Sequence, residues 1–174
     1  MKINLSGKKA LVGGSSKGIG LGIARQLAES GASVCLMARD KNKLEEIINE
    51  LPKNNYQDHE YLLVDFSNFE KFKSTIKEYL STNSIDILVN NTQGPPAGNS
   101  LSKDIDSYQE AFDLLFKCVV YTTSLIVPQM QFDSNISLVH PLTVSPIFNE
   151  PLLSSLVFLI QRVRHLNPKH LLIL

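Results

Sequence analysis

Between Val12 and Gly22 the chain reads V-G-G-S-S-K-G-I-G-L-G. Gly14, Gly18 and Gly20 stand where a strand would turn tightly into a helix. Such a turn aims main-chain N–H groups and the positive end of the helix outward, which is chemistry for an anion and above all for a phosphate or diphosphate. Glycines also punctuate ordinary loops, so the flanking sequence has to arbitrate. Lys9 to Val12 opens an apolar strand before the turn, and Ile19, Ile23, Ala24, Leu27 and Ala28 recur at helical spacing after it. Gly31 then supplies a helix stop, and Ser33 to Ala38 (S-V-C-L-M-A) reads as a continuous apolar strand buried on both faces.

Three further positions carry chemistry at strand ends. Arg39 follows the second strand, where a dinucleotide fold places the adenosine ribose. The slot for a ribose-binding carboxylate holds Ala38, and Lys17 sits inside the glycine turn. Two cations without a carboxylate suit a 2′-phosphate, although both also read as solvated surface charges. Asp65 ends the third strand and is either an acceptor for an adenine amino group or, like Ser67, a cap for the next helix. Asn90 and Asn91 end the fourth strand, where their amides bridge main chain, contact a ribose, or simply make a turn. Asp40 reads as a helix cap.

The elements that must position these residues alternate. A helix over Lys41–Leu51 presents Leu44, Ile47, Ile48 and Leu51 and stops at Pro52. Strands follow at Tyr61–Val64, Ile85–Val89 and Asn135–Val139. Helices are expected over Ser67–Leu80, over about Ser107–Gln131, and over Leu152–Leu166, with a proline- and glycine-rich loop at Gln93–Ser100. Strict alternation predicts an α/β protein: a doubly wound parallel sheet with helices on both faces, and ligands at the carboxyl ends of the strands. At 174 residues the chain reads as a single domain.

Composition narrows the function class. Seventeen basic and seventeen acidic residues cancel, so no bulk field attracts nucleic acid or an anionic membrane. The longest apolar run noted, Leu152 to Ile160, falls well short of the ~20 residues of a membrane span, and the Met1 end shows no signal peptide. Cys35 and Cys118 fall in expected core elements and read as free thiols of a reducing, cytoplasmic setting. His59, His140, His165 and His170 are scattered, which argues against a metal site.

Gly14-x-x-x-Gly18-x-Gly20, Asp65-Phe66 and Asn90-Asn91, in this order and spacing, resemble the short-chain dehydrogenases/reductases. Leu88 to Gly98 (L-V-N-N-T-Q-G-P-P-A-G) is similar to a divergent branch of homologues of 3-oxoacyl-carrier-protein reductase. The resemblance is strong from about Gly7 to Met130. It implies a Rossmann-like sheet and NADP(H), with the cofactor held by Gly14, Ser15, Ser16, Lys17, Gly18, Ile19, Gly20, Arg39, Asp65, Phe66, Asn91 and Thr92. It also implies hydride transfer between a carbonyl and an alcohol of a small-molecule substrate. Two residues depart from the pattern near the cofactor: Gly13 replaces a usual threonine, and Gln93 a more common glycine.

The catalytic departure is larger. The family uses a tyrosine acid/base, a lysine that lowers its pKa, a serine and an asparagine. By rough alignment those slots fall at Pro151, Ser155, near His140 and near Leu115, and no tyrosine-x-x-x-lysine occurs anywhere. His140 is the best substitute by pKa, yet it reads first as a strand end before Pro141. Tyr121 reads as core, and Ser154 and Ser155 as helix residues without an activating histidine. Relative to the family, the last strands are missing: Asn167–Leu174 looks like the approach to a sixth strand and then ends. Sheet edge and apolar helix faces are then expected to be exposed, and the run Leu152–Ile160, apolar on more than one face, predicts a homo-oligomer or a marginally stable product of a truncated gene. Three functional readings follow: an NADP(H)-dependent oxidoreductase with an unassigned proton donor, a nucleotide-binding or scaffold protein without catalysis, or an inactive fragment of a longer enzyme.

Overall fold

The computed structural model describes residues 4–54, 56–92 and 104–130, together with two later strands. Strand β1 (Lys9–Gly13), helix α1 (Gly18–Glu29), β2 (Ser33–Ala38), α2 (Lys41–Glu50), β3 (Glu60–Leu63), α3 (Phe69–Leu80) and β4 (Ile87–Val89) alternate as expected. A long helical run follows: α4 (Ile105–Phe112), a π-helical turn (Asp113–Lys117), α5 (Cys118–Ile126) and a 3-10 turn (Val127–Gln129). Strands β5 (Ile136–Val139) and β6 (His170–Ile173) complete a six-stranded parallel sheet ordered β3-β2-β1-β4-β6-β5. The segment read as the approach to a sixth strand is therefore itself a strand, inserted between β4 and β5.

Side chains alternate across the pleat, so β1, β2 and β4 each feed two cores. Leu11, Cys35, Met37 and Leu88 meet Phe72 and Ile76 of α3 and Cys118 and Ile126 of α5. Ala10, Val12, Val34, Leu36, Ile87 and Val89 meet Ala24 and Leu27 of α1 and Leu44 and Ile47 of α2. The uninterrupted apolar run of β2 follows directly, because neither face of it reaches water. The chain winds from β1 outward to β3, then returns to the other side of β1 at β4. That reversal opens a crevice above Gly13 and Asn90, where doubly wound sheets bind ligands.

Several local expectations shift. Ile19 is half-exposed, and the buried line of α1 runs through Gly20, Ala24, Leu27 and Ala28 instead. Neither Asp65 nor Ser67 caps α3: Asn68 Oδ1 accepts from Lys71 N at 3.1 Å, since Ser67 is already bonded to Asp65. The next helix begins at Ile105, two residues early, because Asp104 Oδ1 accepts from Ser107 N at 2.9 Å. Asp40 caps α2 as expected, accepting from Lys43 N at 3.0 Å. Gly31 takes φ +99° just beyond α1. The expected helix over Leu152–Leu166 and the loop over Gln93–Ser100 lie outside the described residues.

The run Ile105–Gln129 has 25 residues and contains an 18-residue window with a mean hydropathy of 1.4, enough by length and composition to cross a membrane, although no such stretch stood out in the sequence. Its carboxyl half behaves as a core helix, burying Cys118, Thr122 and Ile126 against the sheet. Its outer face leaves Ile105, Tyr108, Phe112, Leu115, Phe116 and Val120 exposed. Cys35 and Cys118 are both buried free thiols.

Candidate functional site

The turn joining β1 to α1 is shaped by its two neighbouring strands. Gly14 sits at φ +54° and Gly18 at φ +59°, a left-handed region that side-chain-bearing residues rarely adopt. Lys17 is the N-cap of α1 in extended conformation, makes no side-chain cap, and is followed by no acidic residue in the first turn. The first amides of α1 therefore lack both an intrahelical acceptor and a nearby carboxylate, and they meet the positive end of the helix. Ser16 is half-buried at this mouth, and Lys17, Gly18 and Ile19 are exposed around it.

Ser15 points elsewhere. Its amide donates to Met37 O at 3.2 Å, and its Oγ accepts from Met37 N at 2.9 Å while fully buried. Ser15 thereby extends the β1–β2 ladder, with its side chain fully buried. Phe66 also turns its side chain inward. Its ring packs on Phe72 at 5.3 Å between centroids, and its carbonyl accepts from Cys118 Sγ at 3.4 Å, so its side chain belongs to the core.

The β2–β3 side of the crevice collects Arg39 and Asp65 at adjacent strand ends. Asp65 Oδ1 accepts from Ser67 Oγ at 2.6 Å and Ser67 N at 3.0 Å. The Ser67 hydroxyl, helped by the nearby Arg39 and Lys71 charges, holds this carboxyl below its usual range. On the other side, buried Asn90 donates to Thr123 Oγ1 at 2.9 Å. Asn91 Nδ2 donates to Gly13 O at 3.2 Å and Gly14 O at 3.4 Å. Thr92 is half-buried beside them. The structure thus gathers Lys17, Gly18, Arg39, Asp65 and Asn91 along one carboxyl edge of the sheet.

A family model described as short chain dehydrogenase matches residues 8–140. The chain belongs to that family. An uncharacterized oxidoreductase of Staphylococcus saprophyticus is 28% identical over 144 residues, covering 82% of this chain and 62% of that protein. One from Staphylococcus aureus is 32% identical over 147 residues, covering 81% and 60%. Among solved structures, L-sorbose reductase from Gluconobacter frateurii complexed with NADPH and L-sorbose superposes with a TM-score of 0.71 at 29% identity, over 87% of this chain and 59% of that one. The chain spans about three fifths of the length of these relatives.

A short-chain dehydrogenase needs a proton donor beside the cofactor, and the described residues place no tyrosine–lysine pair there. Lys9 Nζ does lie 5.3 Å from the Tyr79 ring centroid. However, Lys9 opens β1, and Glu60, which accepts from Tyr79 Oη at 2.7 Å, opens β3. The pair therefore sits at the amino edge, opposite the crevice. Burial, more than any other cause, pushes the Tyr79 phenol well up. Tyr121 packs edge-on against Phe69 and Phe72, as a core residue. Leu115, at the asparagine slot, lies within the π-helical turn and is partly exposed. His140, Pro151, Ser154, Ser155 and Gln93 lie outside the described residues.

Sequence reasoning missed one surface feature. An open cavity of about 300 Å³ is lined by Phe69 of α3 and by Phe112, Phe116, Lys117, Val120, Tyr121 and Ser124 of the long helical run. The signal was present in the four-residue spacing of Tyr108, Phe112, Phe116 and Val120.

Proposed function

We propose that this chain binds NADP(H) in the crevice above β1 and β4 and serves hydride transfer between a carbonyl and an alcohol of a small-molecule substrate. The observation that carries the reading is the acid-free, side-chain-uncapped start of α1 with Lys17 at its mouth, together with Arg39 at the end of the neighbouring strand β2. Main-chain amides from Ser16 to Gly20 would hold the diphosphate. Lys17 and Arg39 would hold a 2′-phosphate, which a ribose-binding carboxylate in place of Ala38 would repel. Asp65, held ionised, would accept from an adenine amino group, and Thr92 would edge the nicotinamide side. The cofactor, when bound, supplies the hydride. The chain orients it through these contacts, and the proton donor is unassigned. L-Sorbose reductase in its NADPH complex supports the choice of coenzyme by analogy.

We further propose that the chain is a single domain acting as a homo-oligomer in a reducing cytoplasm. The exposed apolar face of Ile105–Val120 supports the oligomer, and two buried free thiols support the compartment. A second reading, nucleotide binding without catalysis, is favoured by the missing tyrosine-x-x-x-lysine. Fluorescence titration with NADPH followed by turnover against a panel of carbonyl compounds separates the two. Binding with turnover supports the oxidoreductase, binding alone supports the second reading, and no binding overturns both.

A further inference from the structure

The connection from α2 to β3 is fastened to the junction of α1 and β2 by three consecutive residues. Gln57 Nε2 donates to Ala28 O and to Ala32 O, both at 2.8 Å. Asp58 N donates to Ser33 Oγ at 3.0 Å. His59 makes the last tie and is buried. Its Nδ1 lies 3.1 Å from Val34 N, and its Nε2 lies 2.9 Å from Pro52 O. Ser33 N donates toward β1, to Lys8 O at 2.9 Å, so the next amide, of Val34, points to the other side of the strand, toward β3. The ladder between β2 and β3 begins one residue later, with Cys35 opposite Glu60. The imidazole of His59 thus extends that ladder by one bond.

These two partners fix the state of the ring. A main-chain N–H only donates and a carbonyl only accepts, so Nδ1 is bare and Nε2 carries the single proton. A second proton would turn Nδ1 into a donor facing the Val34 donor, and that bond would be lost, whereas the bond from Nε2 to Pro52 would persist. Charged groups on the surrounding elements are paired or exposed. Arg25 of α1 pairs with Glu50 of α2 at 2.8 Å. On β1, Lys8 pairs with Asp86 and Lys9 with Glu60, which also accepts from Tyr79. Glu29, Lys53 and Asp58 are exposed.

We propose that His59 is a proton-sensitive latch. Neutral, it holds the α2–β3 connection on β2; doubly protonated, it lets go of β2 while staying on Pro52. Histidine is the side chain whose charge changes between about pH 5 and 8, so the latch opens on mild acidification. It lies at the amino edge of the sheet, and the inference is independent of the nucleotide reading.

The test is amide hydrogen exchange by NMR on the full chain at about pH 7.5 and about pH 5.5, each rate referred to the intrinsic rate at that pH. Wild-type Val34 is expected to lose about tenfold in protection at the lower pH, the scale of one hydrogen bond, while Leu36 in mid-strand changes by less than about twofold. His59→Asn supplies an amide oxygen that accepts but takes no proton, so Val34 protection in this variant is expected to be equal at both pH values. Should His59→Asn fail to fold, long-range nitrogen–proton spectra of the wild type decide: the proton sits on Nε2 alone at the higher pH, and on both nitrogens at the lower pH, in step with the loss at Val34. A proton on Nδ1 at the higher pH overturns the latch. So does Val34 protection that is unchanged on acidification, or that falls equally in His59→Asn. A loss shared by Val34 and Leu36 overturns it as well, since it marks a general loosening in acid.

Discussion

Asn90, buried at the carboxyl end of β4, donates through Nδ2 to Thr123 Oγ1 at 2.9 Å and so ties the crevice floor to α5. Removing one partner leaves a buried amide without an acceptor, which is more costly than removing both. Thr123→Val is therefore expected to lower stability by about 1–3 kcal/mol, and Asn90→Leu combined with Thr123→Val by less. Urea unfolding checks this: the midpoint should fall with an unchanged slope. Equal midpoints for Thr123→Val and the parent chain would show that water satisfies Asn90 and that the tie is dispensable.

Coenzyme choice should reside in Arg39 and Lys17. An arginine–phosphate contact is charge-assisted and contributes about 1.5–3 kcal/mol. Arg39→Ala is expected to raise the NADPH dissociation constant about tenfold or more and to leave that of NADH within about twofold, because only the former carries a 2′-phosphate. Lys17→Ala should act in the same direction. Parallel losses for both coenzymes would place the two cations on the diphosphate instead, and no loss for either would make them solvated surface charges.

These assignments separate what the sequence carries from what it does not. The glycine turn, the apolar β2 and the Asp40 cap are local: each depends on residues within a few positions, and each was legible. The bond of Ser15 to Met37 was not legible because Met37 lies 22 residues on in another strand, and nothing near Ser15 signals that its hydroxyl turns inward. The setting of Phe66 was hidden for the same reason, its ring packing on Phe72 and its carbonyl accepting from Cys118. The cap of α3 failed because three adjacent polar residues compete for it, and Asn68 prevails once Ser67 pairs with Asp65. The approach of Asn91 to Gly13 joins positions 78 apart and became visible only when the strands were placed side by side.

Both thiols should resist modification while the chain is folded. Burial pushes Cys35 up to about 12 and Cys118 up to about 11, from an ordinary 9.0. The reactive thiolate is therefore scarce at pH 8, and access is closed as well. A disulfide reagent such as dithionitrobenzoate is expected to find neither cysteine in the native protein and both after denaturation. The linkage has a definite sign. From pH 9 upward the unfolded chain releases thiol protons that the folded chain retains, so alkali favours unfolding across the window from about 9 to about 11–12. Rapid labelling of the native protein at pH 8 would show that these core elements open readily.

The oligomer prediction can be made specific. Tyr108, Phe112, Phe116 and Val120 are spaced by four and exposed to about half, and they form a stripe symmetric about Leu114. Phe112 and Phe116 stack at 5.0 Å between centroids. An antiparallel two-fold pairing of this helix would set Phe112 against the partner's Phe116, and Tyr108 against the partner's Val120, the self-complementary pattern of an isologous interface. Aromatic side chains of this size bury roughly 150–250 Å² each, and with about half of that still exposed the stripe offers at most about half of the ~800 Å² per partner of a standard interface, the flanking residues of the helix supplying the rest. Phe116→Glu is expected to shift a dimer to monomer in light scattering coupled to gel filtration, because two carboxylates would be buried across the axis. Its far-UV spectrum should stay unchanged, since the substituted face is exposed in the single chain. If Phe116→Glu instead elutes and scatters as the parent does, the stripe lies outside the subunit contact. A parent chain that is already monomeric at tens of micromolar removes the homo-oligomer from the functional reading altogether.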